Sequence, residues 1–582
     1  MKQFSVSGKN WIYKNFNSSE VSEYIEKYSI TEIVAKLISI RKKNIDDVGQ
    51  FLNPKIKNLL PNPSNLKNMN DAVERTYKSI LSKETIGIFG DYDVDGATST
   101  ALLARYFASI NQNIRTYIPD RQMEGYGPSN KGFKSLIDNK AKIIFTVDCG
   151  TLSFEPIKFA KKLNIDVIVL DHHQSDIKFP DAYAIVNPNR YDDTSGLNYL
   201  CAAGVCFVFL VGLNKKLRNE NWFKKNNIKE PNIINFLDLV SLGTVCDVVP
   251  LIGLNRAIVK QGLKVMKKRS NLGLKTLFDL CSGGSEPTVF DLGYRLGPRI
   301  NAGGRVGKSS YGPELLISND PEKVFKIALN LDKSNKERQS IELLLTEEVN
   351  VEVKKNHNQP LYVLSGNNWH EGVMGIVASR IKEKYNKPTI IISLNNNIGK
   401  GSARSVVGFD IGKQIITAVH EGILQKGGGH KMAGGFTLKR DNISVFTDFL
   451  IKNFNKSNID TSQNINLQLD SIIAPSALNE DFLEEINTLG PFGSGNNEPK
   501  FAIEKIKVIS SNIVGQNHIK SILRGNDGFV FKGFIWNGKN GPLEKFFFKK
   551  SKELINIAGK IRLNEWQGKK NVEFIIEDVS LN

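Results

Sequence analysis

Ile86-Gly87-Ile88-Phe89-Gly90 runs directly into Asp91-Tyr92-Asp93-Val94-Asp95-Gly96. A short apolar run that ends in a cluster of carboxylates reads as a buried strand delivering its acidic residues to a loop at its carboxyl end. The arrangement recurs twice downstream. Ile143-Ile144-Phe145-Thr146-Val147 is followed by Asp148, and Val167-Ile168-Val169-Leu170 by Asp171-His172-His173. Apolar runs at 85–89, 114–118, 142–147 and 166–170 alternate with amphipathic stretches at 99–110 and 154–163. That alternation predicts an α/β domain with a parallel sheet covered on both faces. In such sheets the carboxyl ends of the strands line the ligand crevice, so the three loops are expected to converge.

The grouped charges set the chemistry. Asp91, Asp93, Asp95, Asp148 and Asp171 cannot approach as bare anions without strong repulsion or protonation. One or two divalent cations resolve that conflict, and carboxylates mixed with imidazole suit Mn²⁺ or Mg²⁺ better than a thiolate-preferring metal. Two metals roughly 3.5–4 Å apart, bridged by a carboxylate, are a common arrangement for phosphodiester hydrolysis. Taken singly, the first cluster also fits a calcium loop or an Asx turn. Asp148 alone fits a helix cap, because Gly150 and Thr151 follow it. The ordered combination carries the argument.

The rest of the chain bounds what such a site serves. It has 582 residues, 40% hydrophobic and 24% charged, enough for several globular domains and unlike a disordered or fibrous protein. The longest nearly apolar run, 201–213, is too short to span a bilayer, and the opening Met1-Lys2-Gln3-Phe4-Ser5 has no apolar leader core. Five cysteines with no C-x-x-C spacing argue against a disulfide framework or a cysteine zinc site, so a reducing cytoplasm is the expected compartment. The net charge of +18 is uneven: residues 500–582 hold 15 basic against 8 acidic side chains, which points to a nucleic-acid partner.

Five segments are expected. Residues 1–80 read as a mixed N-terminal segment packing on the catalytic domain, 81–320 as that domain, and 321–355 as a long connecting helix. Residues 356–455 read as a second α/β unit, with strands at 361–364 and 389–393 around a helix at 373–385. Residues 460–582 read as an all-β barrel, with strand-like runs at 508–514, 529–536, 554–561 and 572–579. A small basic barrel of that size suits an OB-type single-strand binder, with an SH3-like barrel as the alternative. Within it Phe531, Phe534, Trp536 and Phe546 to Phe548 are candidates to stack bases, although aromatics in a small barrel are commonly core.

The ordered series resembles the DHH phosphoesterase family, in its branch of single-strand-specific exonucleases. Further motifs extend the likeness over about residues 40–582: Gly297-Pro298-Arg299-Ile300-Asn301-Ala302-Gly303-Gly304-Arg305, Trp369-His370-Glu371-Gly372-Val373, Gly401-Ser402-Ala403-Arg404-Ser405, Gly428-Gly429-His430, and Gly490-Pro491-Phe492-Gly493-Ser494-Gly495-Asn496. The resemblance implies a DHH domain, a DHHA1 domain and an OB domain. It implies that Asp91, Asp93, Asp148 and Asp247 surround one metal and that Asp95, Asp148 and His172 hold the other, with Asp148 as the bridge. His173 then faces the scissile phosphate and Asp171 orients the loop. Arg121, Arg305, Ser402 and Arg404 would form a 5′-phosphate pocket, with Arg299, Asn301 and His430 among the substrate-binding residues.

The implied activity is metal-dependent 5′→3′ hydrolysis of single-stranded DNA to 5′ mononucleotides, in recombination and repair. Mn²⁺ is the preferred cofactor, or Mg²⁺. A single-strand-binding protein and a helicase are the expected protein partners. No dimerisation coil is evident, so a monomer is expected. Two other readings compete: a phosphodiesterase of short oligonucleotides or cyclic dinucleotides, and a non-catalytic DNA-binding scaffold. The barrel argues against the first and the complete set of acidic and histidine positions against the second.

Overall fold

The computed structural model describes residues 5–42, 45–121, 123–282, 286–355, 358–457, 459, 466–548, 554–566 and 569–581. Its first sheet has the strand order Ile114–Tyr117, Thr85–Gly90, Ala141–Val147, Asp166–Leu170, Ala184–Val186, all parallel. Ile86, Ile88, Ile143, Phe145, Ile168 and Leu170 enter one core with the helices Val94–Ser109, Ala202–Asn219 and Leu237–Cys246. Phe89, Ile144, Val167 and Val169 enter the opposite core, under Asn130–Asp138 and Phe154–Lys162. Burial on both faces is why these strands read as continuous apolar runs rather than alternating ones. The helix expected from residue 99 begins at Val94, because the Asp93 carboxylate caps it by accepting from the Gly96 N–H at 3.0 Å.

The helix Pro321–Lys355 has 35 residues and is about 52 Å long at the helical rise. Val324, Ile327, Ala328 and Leu331 at its start join the first core, while Leu345, Val349 and Val353 join the core of the second α/β unit. Between these apolar ends lie buried Asn335, Arg338 and Glu342. Arg338 donates to Asn335 at 2.7 Å and pairs with Glu342, which also pairs with Arg380 of the helix Glu371–Tyr385.

The second sheet runs Lys426–His430, Ala433–Lys439, Ile398–Arg404, Thr389–Asn395, Tyr362–Asn367, and only its last pair is parallel. Three of these strands escape a hydrophobic pattern because they are glycine-rich. The reason is packing: a Cβ on Gly401 would lie 2.1 Å from the Phe436 ring. The C-terminal barrel consists of Phe501–Val514, His518–Arg524, Val530–Ile535, Lys569–Leu581 and Ile555–Trp566, closed by pairing of the first with the last. His518–Arg524 is the strand the hydrophobic pattern does not mark.

The N-terminal segment divides, which corrects the expected packing of residues 1–80. The strand Asn10–Tyr13 pairs with Asn466–Leu469, and Val21, Tyr24, Val34, Leu37 and Ile38 share one core with Phe501, Ile503 and Ile557 of the barrel. Only the later part, with Leu66, Met69, Ala72 and Val73, joins the catalytic core. Amphipathic helices display an apolar stripe without naming its partner, so sequence alone could not separate the two destinations. The expected starts at 356 and 460 lie outside the described residues. Among the described residues no helix is long and apolar enough to cross a membrane.

Candidate active site

Four adjacent parts of the first domain converge on one cluster. The loop after Thr85–Gly90 supplies Asp91, Asp93 and Asp95; the ends of Ala141–Val147 and Asp166–Leu170 supply Asp148 and Asp171-His172-His173; the end of the helix Leu237–Cys246 supplies Asp247. Asp91, Asp93 and Asp148 form one group able to hold a cation, Asp95, His172 and Asp247 a second, and Asp148, His172 and His173 a third. Asp247 thus falls in one group with Asp95 and His172. His172 Nε2 is 3.2 Å from Asp148 Oδ1, 3.7 Å from Asp247 Oδ2 and 3.8 Å from Asp95 Oδ2.

The local backbone explains these positions. A Cβ on Gly96 would lie 2.5 Å from the Asp91 carbonyl oxygen, and one on Gly243 would lie 2.7 Å from Asp95 Oδ1; both glycines let the carboxylate loop close. Asp95 is anchored from behind, accepting from the N–H groups of Ala202 and Ala203 at 2.6 and 3.0 Å, where the positive end of the helix Ala202–Asn219 favours an anion. Asp148 has a left-handed backbone, φ 62°, which aspartate tolerates better than most residues.

The electrostatics fit a cation-binding centre. Asp91 and Asp148 are pushed well above the usual carboxylate range, first by burial and then by neighbouring carboxylates, Asp93 in both cases. Asp95 is raised by burial and by Asp93 against the opposing pull of His172, and Asp247 is pushed up to about 8 by burial, Asp95 and Asp93. Asp91 Oδ1, Asp148 Oδ1 and His172 Nε2 are all buried without a hydrogen-bond partner. Buried polar atoms are costly when unpaired. Two of them, Asp148 Oδ1 and His172 Nε2, lie 3.2 Å apart, Asp91 groups with the same Asp148, and such a carboxylate–imidazole donor set fits a hard or borderline divalent ion.

Asp171 differs from its neighbours. Burial alone would raise it, but the hydrogen bond from His173 Nδ1 at 2.8 Å and the charges of both histidines outweigh that and hold it below the usual range. It also accepts from the Thr151 N–H and hydroxyl at 3.1 and 2.7 Å and from the His172 N–H at 2.8 Å. Asp171 is therefore the brace of the loop. His173 is pushed up to about 9: burial opposes its charge, but Asp171 outweighs it.

Three residues were missed from sequence. Tyr126 lays its hydroxyl 3.2 Å from His173 Nδ1 and donates to the Asp148 carbonyl at 3.0 Å. Asn187 donates to Thr151 Oγ1 and to the His173 carbonyl, both at 2.8 Å. Asn187 follows the strand Ala184–Val186, so its place at a fourth strand end was the available signal. Arg338 carried none, because a polar residue in a long charged helix reads as solvated.

The residues expected to bind substrate divide likewise. Arg305 is pushed down to about 10, by burial first and then by the charges of Arg121, Arg338 and Arg404; Arg404 is lowered by burial and by Arg121. The guanidinium charges of Arg121 and Arg404 are thus close enough to Arg305 to disfavour its charged form. Arg305 bridges the two α/β units by donating to the Gly372 carbonyl at 2.8 Å, and Arg404 lies 3.3 Å from Ser402 Oγ. Arg299 is instead held by Asp332 at 2.9 Å and by the Arg295 carbonyl. Asn301 is half-buried on the helix Gly297–Val306, and His430 is exposed at the end of its strand. In the barrel, Phe531 and Phe547 are core, whereas Trp536 is exposed beside Phe534 and His518.

Comparison with known proteins accounts for this combination. Residues 85–244 match the DHH family, N-terminal domain, 358–456 the DHHA1 domain, and 469–578 the RecJ OB domain. The single-stranded-DNA-specific exonuclease RecJ of Haemophilus influenzae is 32% identical over 555 residues, covering 92% of this chain and 94% of that protein. This chain belongs to the RecJ family. The RecJ of Bacillus subtilis is 30% identical over 585 residues, covering 99% of this chain and 71% of its own. Among solved structures, RecJ from Thermus thermophilus in complex with Mn²⁺ has the same fold, with a TM-score of 0.81 at 24% identity over 98% of this chain and 79% of that one. The RecJ family's three domains are therefore all present here, in an α/β, α/β, β-barrel order.

Proposed function

We propose that this chain is a metal-dependent 5′→3′ exonuclease that hydrolyses single-stranded DNA to 5′ mononucleotides, in recombination and repair, with Mn²⁺ or Mg²⁺ as cofactor. The observation that carries the reading is the contact between two sites. Arg121 stacks its guanidinium over Tyr92 at 5.1 Å, and Tyr92 lies between Asp91 and Asp93, so the arginine pocket adjoins the carboxylate cluster. A terminal phosphate held there is anchored beside the groups that act on the first diester bond.

Asp91, Asp93, Asp95, Asp148, His172 and Asp247 would hold the metals, with Asp148 shared. Divalent cations bound there supply an activated water and neutralise charge building on the phosphate. The chain's own groups do the rest. His173, braced by Asp171, presents a donor to the phosphate oxygens, and Arg121, Arg305 and Arg404 with Ser402 grip the terminal phosphate. Trp536 is close to Arg562, whose guanidinium also lies 5.5 Å from the ring of Phe290. Phe290 in turn stacks on Tyr294 at 4.9 Å. These exposed rings extend from the barrel onto the catalytic domain and suit unpaired bases, which every aromatic face can stack.

The test is a time course on one long single strand labelled separately at each end, with Mn²⁺ and with chelator. Immediate metal-dependent release of a labelled mononucleotide from the 5′ end, with gradual shortening of the 3′-labelled strand, is expected. Binding without cleavage, or cleavage of dinucleotides only, would overturn the reading.

A further inference from the structure

We propose that the segment 490–496, which leads into the barrel, clamps the chain just beyond Asp247 and thereby holds that carboxylate in the metal cluster, with Leu251 and Gly493 as positioning residues. The inference rests on reading the cluster as a metal centre.

The starting point is a backbone outlier. The helix Leu237–Cys246 ends with Asp247, whose N–H donates to the Gly243 carbonyl at 2.9 Å. The next residue, Val248, has φ 60° and is 69% exposed. Helices often stop on a left-handed residue, but that residue is usually glycine. A β-branched side chain there is strained, and an exposed one gains no burial in return. Pro250 forbids helix at Val249, yet leaves Val248 free to take an ordinary extended conformation. Something beyond Pro250 must impose the turn, since such strain persists only where the surroundings over-determine it.

The surroundings are the 490–496 segment. Leu251 is 2% exposed and donates its N–H to the Ser494 carbonyl at 2.7 Å. The fit is close at two glycines: a Cβ on Gly493 would lie 2.7 Å from Leu251 Cδ1, displacing that buried side chain, and Gly495, at φ 72°, would place one 3.0 Å from Pro250 Cβ. The segment is itself rigid. Asn496 donates to the carbonyls of Leu489 and Pro491, both at 2.9 Å. The seam therefore begins three residues after a side chain whose Oδ2 lies 3.7 Å from His172 Nε2. Seating of the barrel segment and position of Asp247 are one mechanical unit.

The experiment compares Mn²⁺ affinity, read from the electron paramagnetic resonance of free Mn²⁺ during titration of the full chain, in the wild type, Gly493→Val, Val248→Gly and the double variant. Ile519→Val, a mild change inside the barrel core, controls for general loss of barrel stability, and thermal unfolding confirms that each variant is folded. Gly493→Val is expected to weaken Mn²⁺ binding about ten- to a hundredfold, the usual effect of disturbing the support of a ligand. Ile519→Val leaves it unchanged. Val248→Gly, which adopts the left-handed turn freely, binds Mn²⁺ like the wild type and restores most of the affinity to Gly493→Val. Wild-type affinity in Gly493→Val, or no recovery in the double variant, overturns the clamp. Failure of the wild type itself to bind Mn²⁺ overturns the metal-centre reading instead.

Discussion

Arg121 rests on the face of Tyr92, 5.1 Å from its ring centroid, so the loop that carries the first arginine of the proposed phosphate pocket packs against the loop that carries the first carboxylates of the proposed metal cluster. Arg121→Ala should remove one charge-assisted contact to the terminal phosphate, worth about 1.5–3 kcal/mol. The expected result is a roughly ten- to hundredfold rise in KM for strands with a 5′ phosphate and a smaller effect on strands with a 5′ hydroxyl. Steady-state rates on the two substrates check it. An equal loss on both would place Arg121 outside the pocket.

Asp148 lies at the centre of the cluster, buried and crowded by like charges. Asp148→Asn should abolish cleavage. In chelator it should also melt above the wild type, because the repulsion is relieved and asparagine accepts the left-handed backbone. Added Mn²⁺ should then raise the wild-type Tm through binding to the folded state and leave the variant's nearly unchanged. Differential scanning fluorimetry with and without metal decides the matter.

Trp536 is 52% exposed, and stacking of one base on such a ring contributes about 1–3 kcal/mol. Trp536→Ala should weaken binding of long strands roughly five- to a hundredfold, while leaving turnover of very short oligonucleotides intact. Fluorescence anisotropy across a length series measures the split, and a loss that ignores length would count against a stacking track.

Asp238 is buried away from the site. Burial raises its carboxyl to about 6 from an ordinary value of 3.8, against the opposing effects of the Leu239 N–H and Arg105. The folded state thus holds its proton more tightly than the unfolded chain, so the contribution of Asp238 to stability is fullest below pH 4 and is lost as pH rises through about 6. The linkage is on the order of 2–3 kcal/mol. Asp238→Asn should flatten that fall and melt higher than the wild type at pH 8, read from denaturant midpoints at several pH values. A parallel pH dependence in both proteins would show that Asp238 ionises without cost.

Arg256 is 1% exposed, with its guanidinium 3.8 Å from the Phe51 ring centroid and its Nε donating to the Phe51 carbonyl at 2.9 Å. Truncating it leaves the buried Phe51 carbonyl without its donor, a loss of about 1–3 kcal/mol. Arg256→Ala should therefore loosen the N-terminal segment from the catalytic domain, seen as new limited-proteolysis cuts near residues 45–55 before global unfolding.

Local patterns made the centre of the protein legible. Continuous apolar runs marked Thr85–Gly90, Ala141–Val147 and Asp166–Leu170, because strands buried on both faces must be apolar throughout, and their ends carried the carboxylates into view. Asp247 needed the family resemblance, since a lone aspartate at a helix end has no pattern of its own. The Gly-rich strands Ile398–Arg404 and Lys426–His430 stayed hidden because their hydrophobic partner, Phe436, comes from a neighbouring strand.

What the sequence determined by itself was therefore the chemistry and the sheet that presents it: which residues are ionisable, which segments are buried, and that like charges must meet a cation. Tertiary structure alone decided which partners those residues take. It paired Arg299 with Asp332, grouped Asp247 with Asp95 and His172, divided the N-terminal segment between two cores, and set the 490–496 segment against the chain beyond Asp247. The physical reason is range. Periodicity and charge act over a few residues, whereas a guanidinium, a carboxylate or an apolar stripe is satisfied by whatever the fold brings within a few ångströms, however distant in the chain.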